Sequence, residues 1–168
     1  VEWAASFEGP VFLRLSRVGV PDLLQPGHRF ELGKANLLRD GDAVTLIANG
    51  TLTHRILKAA ELLAARGIEA RVLNMATVRP IDTEAVVAAA RDTGAILTAE
   101  EHSVYGGLGS AIAEVVVAEA PVPMKMLGVP GIFAPTGSAE FLLDEFGMAP
   151  QAIADAAVEL IGRKSARP

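Results

Sequence analysis

Four short apolar runs, at residues 43–48, 71–75, 95–99 and 124–129, alternate along this sequence with stretches of helical period. That alternation is the strongest constraint on the fold. A strand that is followed by a helical crossover and then by another strand in the same sheet must run parallel to it, and the crossover is right-handed. The runs are nearly continuous in Val, Ile, Leu and Ala rather than alternating with polar residues, as expected for strands covered on both faces. In the first helical stretch, residues 51–66, Leu52, Ile56, Ala59 and Leu63 recur on one side and Gly67 stands where the helix should end. In the second, residues 83–91, Asp82 is placed as the N-cap and Val86, Val87 and Ala90 form the apolar stripe. A glycine-rich turn at 106–110 opens an almost wholly apolar helix through Ala120, and two helices, 138–146 and 150–161, finish the chain, the last with Pro150 in its first turn. Ahead of these units, residues 34–39 form a further apolar run, separated from 43–48 by Asp40-Gly41-Asp42. Asp-Gly between apolar runs predicts a hairpin. The expected fold is an α/β three-layer sandwich, with a five-stranded sheet of four parallel strands and one antiparallel edge strand.

The 168 residues, half of them apolar, suffice for one such domain. The net charge of −5 comes from interspersed acids and bases with no Lys/Arg stripe, which argues against nucleic-acid binding. With no cysteine, disulfides and thiolate chemistry are excluded. No apolar run approaches the ~20 residues that span a bilayer, and residues 1–8 lack the basic and apolar regions of a signal peptide. A cytoplasmic protein without membrane contact is expected. Residues 10–17 (PVFLRLSR) read as a strand. Residues 18–33, with Gly19, Pro21, Pro26, Gly27 and Gly33, read as a linker. The chain therefore divides into 1–33 and 34–168. A start at Val1, with a strand-like run following at once, reads as a fragment whose first eight residues are mobile or held by neighbours.

Few residues announce chemistry. Glu100-Glu101-His102-Ser103 follows a strand at its carboxyl end, where open α/β sheets hold ligands. A carboxylate beside an imidazole could transfer protons, although polar residues also gather wherever a buried strand meets solvent. The loop Tyr105-Gly106-Gly107-Leu108-Gly109-Ser110 opens a helix, which suits an anion. Ile112 breaks the dinucleotide fingerprint, and close packing of helix on sheet accounts for Gly107 and Gly109 equally well. Asn49-Gly50-Thr51, before His54, reads as a helix cap. Asp82 and Asp144 read as cap and surface residues. His28 carries no signal, the three histidines lack metal-site spacing, and no metal is predicted. Arg14 and Arg17 could clamp a carboxylate or phosphate or be ordinary solvated arginines.

Taken in order, Gly9-Pro10-Val11-Phe12-Leu13-Arg14-Leu15-Ser16-Arg17, Val78-Arg79-Pro80-Ile81-Asp82, Glu100-Glu101-His102-Ser103 with Gly106-Gly107-Leu108-Gly109-Ser110, and Gly137-Ser138-Ala139-Glu140 resemble the C-terminal region of the transketolase family. The resemblance implies a parent enzyme that binds thiamine diphosphate and magnesium between a diphosphate-binding and a pyrimidine-binding domain, across a dimer interface. Residues 1–17 would be the tail of the pyrimidine-binding domain, followed by the linker, and residues 34–163 the third, assembly-supporting domain. The cofactor-activating glutamate and the metal-binding segment of the family have no counterpart here, so no cofactor is expected on this chain alone and no catalysis from it in isolation. Arg17 falls where transketolases contact the substrate phosphate, and Arg14 is a lesser candidate. His102 matches a family pattern without a known role.

The resemblance implies two-carbon ketol transfer between sugar phosphates, the chemistry of pentose phosphate metabolism, in a homodimer or a hetero-oligomer with the diphosphate-binding subunit. The same domain occurs in 1-deoxyxylulose 5-phosphate synthases and in beta subunits of 2-oxoacid dehydrogenases. Two readings of other classes stand beside it. One is a sensing module for a small anion or nucleotide, using the strand ends near 49–51 and 100–110, with His102, Gly107 and Gly109 as its candidate site. The other is a purely structural partner that buries the helix at 108–120 and residues 1–17 in another chain.

Overall fold

The structure, a computed structural model, describes residues 1–165. In chain order its elements are α1 (Glu2–Ser6), β1 (Asn36–Arg39), β2 (Val44–Ala48), α2 (Leu52–Ala64), β3 (Ala70–Asn74), α3 (Thr83–Thr93), β4 (Ile96–Ser103), α4 (Leu108–Glu119), β5 (Met124–Val129), α5 (Ala139–Glu145) and α6 (Pro150–Ser165). The sheet order is β1-β3-β2-β4-β5. Strands β2, β3, β4 and β5 are parallel and β1 lies antiparallel against β3 at the edge, as the sequence pattern predicts.

Every residue of β2 is buried, because helices cover both sides of the sheet. Val44, Leu46 and Ala48 join Val72, Leu97 and Ala99 against α2 and α6. Ile47, Leu73 and Ile96 face the other way, against Val86 and Ala90 of α3 and Leu108, Ile112 and Val116 of α4. Each large aliphatic side chain so buried contributes about 1.5–3 kcal/mol, and the two cores make the three layers inseparable.

The ends of the elements follow local chemistry. Asp82 caps α3 by accepting the Ala85 N–H at 3.1 Å, and its second oxygen accepts the Ala35 N–H at 2.8 Å. One carboxylate thus starts a helix and fastens the chain entering β1. Ser138 caps α5 through the Phe141 N–H. Observed helix limits differ by a few residues from those expected, α6 most, since it runs on to Ser165. Among the described residues, no helix is long and apolar enough to cross a membrane.

Two expectations need correction. The Asp40-Gly41-Asp42 turn does not close a hairpin, because β3 inserts between β1 and β2. The turn instead crosses the amino end of β3. There the Ala43 N–H donates to the Glu69 carbonyl, and a Cβ at Gly41 would stand 2.5 Å from the Ala70 carbonyl carbon. Glycine serves close approach at this turn. Residues 10–17 form no strand: they have no neighbouring strand to pair with and lie exposed, with Phe12 at 90%. Before them, Trp3 of α1 stacks on Phe7 at 4.8 Å and meets Phe30 at 5.2 Å, so the first residues are folded onto the stretch that precedes β1.

Candidate functional site

The carboxyl ends of β2 and β4 gather most of the residues singled out in the sequence. β4 continues through Ser103, so Glu100, Glu101 and His102 belong to the strand itself. They sit in a bulge. Ala99 pairs with Leu127 and Ser103 with Val129, which sets four residues of advance on β4 against two on β5. Opposite the bulge stands Gly128, where a Cβ would come within 2.8 Å of the His102 carbonyl oxygen. Bulges release backbone groups from the ladder and re-aim side chains.

Glu100 and Glu101, adjacent in sequence, are turned to different partners, as neighbours on a strand are. The Glu100 side chain is buried and accepts the Leu108 N–H at 2.7 Å and the Gly109 N–H at 2.8 Å. These are donors that the first turn of α4 cannot satisfy within the helix, and the carboxylate also meets the positive end of its dipole. That contact accounts for Gly107, and close packing on the sheet accounts for Gly109. A Cβ on Gly107 would lie 2.1 Å from Glu100 Oε2, and one on Gly109 would lie 2.9 Å from Thr98 Oγ1. The glycine loop is an anion cradle whose anion is the protein's own Glu100.

Glu101 is half-buried, and its Oε2 accepts the Thr51 hydroxyl at 2.6 Å. Its backbone carbonyl, released by the bulge, accepts a hydrogen bond from the Arg14 guanidinium at 2.6 Å. The sequence places Thr51 in the cap of α2, but its backbone is already helical (φ −61°, ψ −24°) and its side chain makes no cap bond. The hydroxyl reaches across to β4 instead. His102 is exposed, with Nδ1 2.9 Å from the Ser103 carbonyl oxygen. No carboxylate–imidazole pair forms, because Glu100 is committed to α4 and Glu101 to Thr51.

Arg17 is exposed and makes no hydrogen bond or ion pair among the described residues. It stands three residues beyond Arg14 on the same irregular segment. His28 is exposed ahead of β1. His54, in the first turn of α2, is half-buried, and its Nδ1 has no hydrogen-bond partner. Burial, then the charges of Arg55 and Lys58, hold its pKa below the ordinary histidine value. Asp144, read from the sequence as a surface residue, pairs with Arg55, which is buried and also donates to the Met148 carbonyl at 3.1 Å. Arg55 lies beside Ile56 in the apolar stripe of α2, a signal that could have marked it as a buried cation needing a partner. Among the described residues, no group of three or more His, Asp or Glu side chains is placed to hold a metal ion.

Comparison with known proteins agrees with this architecture. The sequence model of the family described as "Transketolase, C-terminal domain" matches residues 33–153. The chain is 45% identical over 160 residues to the 6-deoxy-6-sulfo-D-fructose transketolase subunit SqwH of Clostridium sp. (strain MSTE9), covering 95% of this chain and 50% of that protein. It is 37% identical over 162 residues to an apulose-4-phosphate transketolase subunit of Phocaeicola vulgatus, covering 96% of this chain and 52% of that protein. A solved structure described as "Split gene transketolase, inactive beta4 tetramer" superposes with a TM-score of 0.92 at 45% identity, over 97% of this chain and 54% of the other. The chain spans about half the length of the curated relatives it matches. By sequence and by fold alike, the chain belongs to the transketolase family and carries its C-terminal domain.

Proposed function

We propose that this chain is the C-terminal, assembly-supporting part of a thiamine-diphosphate-dependent transketolase, inactive alone, in an enzyme that moves a two-carbon ketol unit between sugar phosphates. The observation that carries this reading is the superposition of nearly the whole chain on a split-gene transketolase chain whose tetramer is described as inactive. Relatives named as subunits support a partner chain for the remaining part. A cytoplasmic setting and assembly around a dimer of active sites accompany the reading.

The residues present do not fit thiamine diphosphate. A diphosphate needs free donors, and the glycine loop at the start of α4 already spends the Leu108 and Gly109 N–H groups on Glu100. Arg17 suits a different part of the work. Exposed and without a protein partner among the described residues, it is our candidate for the substrate phosphate.

Calorimetric titration of the chain with thiamine diphosphate and magnesium tests the division of labour. No heat of binding is expected from the chain alone, and saturable binding at one site per chain would overturn the reading. Ketol transfer should appear only when both a pyrimidine-binding and a diphosphate-binding part are supplied with this chain, and the chain alone should give none.

A further inference from the structure

We propose that Arg14 is a positioning residue: it latches the segment carrying Arg17 onto the bulge of β4. The inference rests on the transketolase reading only for what Arg17 does, since the latch itself stands on geometry. Among the described residues, the bond from Arg14 to the Glu101 carbonyl is the one polar tie between residues 1–30 and the α/β domain. The other hydrogen bonds within 1–30 are local, from Ala5 to Val1, from Ser6 to Trp3, from Val18 to Ser16 and from His28 to Gln25. Phe12, Leu13 and Leu15 are exposed and supply no core contact in its place.

The acceptor is built for an external donor. The bulge between Ala99 and Ser103 frees backbone groups from β5, and the β2 ladder ends at Ala99. The carbonyl is also fixed on both sides. Glu100 is locked to α4 by two hydrogen bonds, and the Glu101 carboxylate is locked to Thr51, itself buried. A preorganised acceptor and a planar, permanently charged donor give a directional contact at little entropic cost. With Arg14 so engaged, its guanidinium is directed to the sheet end, and Arg17, three residues on, is left to meet solvent or ligand.

The absence of cysteine makes the test direct. Cysteines placed at the exposed Leu15 and Val117 carry a spin-label pair whose distance reports the segment against α4. The parent chain should give one narrow distance, Arg14→Met should broaden and shift it, and Arg14→Lys should fall between. Thr51→Val, which frees Glu101, should shift it in the same direction by less. An unchanged distribution in Arg14→Met would overturn the latch, whatever the enzyme proves to do. In the reconstituted enzyme, Arg14→Met should raise KM for a phosphorylated substrate, but not further once Arg17→Ala is present. Additive losses would make Arg14 a direct phosphate ligand and overturn the proposal, while absence of ketol transfer would refute the transketolase reading and leave the distance result standing.

Discussion

Replacing Glu100 removes the single acceptor of two buried backbone donors and puts nothing in its place. Leu108 and Gly109 N–H lie 2.7 and 2.8 Å from its oxygens, and the residue is 3% exposed, so water does not reach them without rearrangement. Hydrogen bonds to a charged group contribute roughly 1.5–3 kcal/mol each, and a carboxylate at a helix N-terminus adds about 0.3–2 kcal/mol. Both bonds end on one group and overlap, so Glu100→Ala should lose about 3–4 kcal/mol rather than the sum. Glu100→Gln is the sharper perturbation. It keeps the volume and one acceptor oxygen but turns an NH2 toward a backbone N–H, with an expected loss of about 2 kcal/mol. Urea unfolding followed by far-ultraviolet circular dichroism reads both. At a slope of about 2 kcal/mol per molar urea, the Ala midpoint should fall about 1.5–2 M at constant slope. A Gln variant within about 0.5 kcal/mol of the parent, the range of ordinary surface changes, would refute the claim that the charge of Glu100 holds α4.

Gly107→Ala should cost about 1–3 kcal/mol through overpacking against Glu100. Combined with Glu100→Ala it should cost less than the sum, as urea midpoints would show; full additivity would mean that the two do not touch. Arg55→Met should lower stability by about 2 kcal/mol, because the Asp144 carboxylate it leaves behind is half exposed and reaches water. Asp144→Ala should cost more, since it strands a buried guanidinium, and the reverse order in thermal unfolding would contradict the assignment. The pKa of His54 is depressed in the folded state, so the unfolded chain binds more protons below the ordinary value of 6.5. Stability should therefore fall as pH drops from 6.5 through the depressed value, and His54→Gln should remove that slope in pH-dependent urea titrations. In the reconstituted enzyme, Arg17→Ala should lower kcat/KM for phosphorylated substrates about 10–100-fold, as expected for a lost charged contact, and spare unphosphorylated ones. Equal loss on both would remove the phosphate role.

What the sequence discloses is what period and burial impose. The runs at 43–48, 71–75, 95–99 and 124–129 are strands because a two-sided cover demands continuous apolar residues, and each recurs in the sheet within a few residues of its expected limits. Asp82 is legible as a cap because N-capping is a local event. The neighbour of β1 is not legible, since Asp-Gly describes a turn and says nothing of which strand lies beyond it. β3 takes the place beside β1, and Gly41 meets a need for closeness that reads the same as a hairpin glycine. The run at 10–17 shows a related limit: β-type composition makes a strand only where a ladder partner exists.

The candidate site marks a deeper limit, because a charged group's role depends on whether it is already spent. Glu100, Glu101 and Arg14 carry the signature of a ligand site in the sequence, with acids at a strand end, a glycine loop behind them and an arginine upstream. In the structure each is partnered within the chain: Glu100 closes α4, Glu101 holds Thr51 with its carboxylate and Arg14 with its carbonyl. Satisfied polar networks rigidify a scaffold, and here one that runs from buried Glu100 through half-buried Glu101 to exposed Arg14 joins β4, α2, α4 and the entering segment. Arg17 has no such partner among the described residues, which separates it from Arg14 although both are arginines three residues apart on the same run. A domain that spends the carboxylates of this cluster on holding itself and leaves Arg17 exposed on the entering segment is suited to presenting that arginine to chemistry carried elsewhere. That is the division of labour expected of an accessory domain.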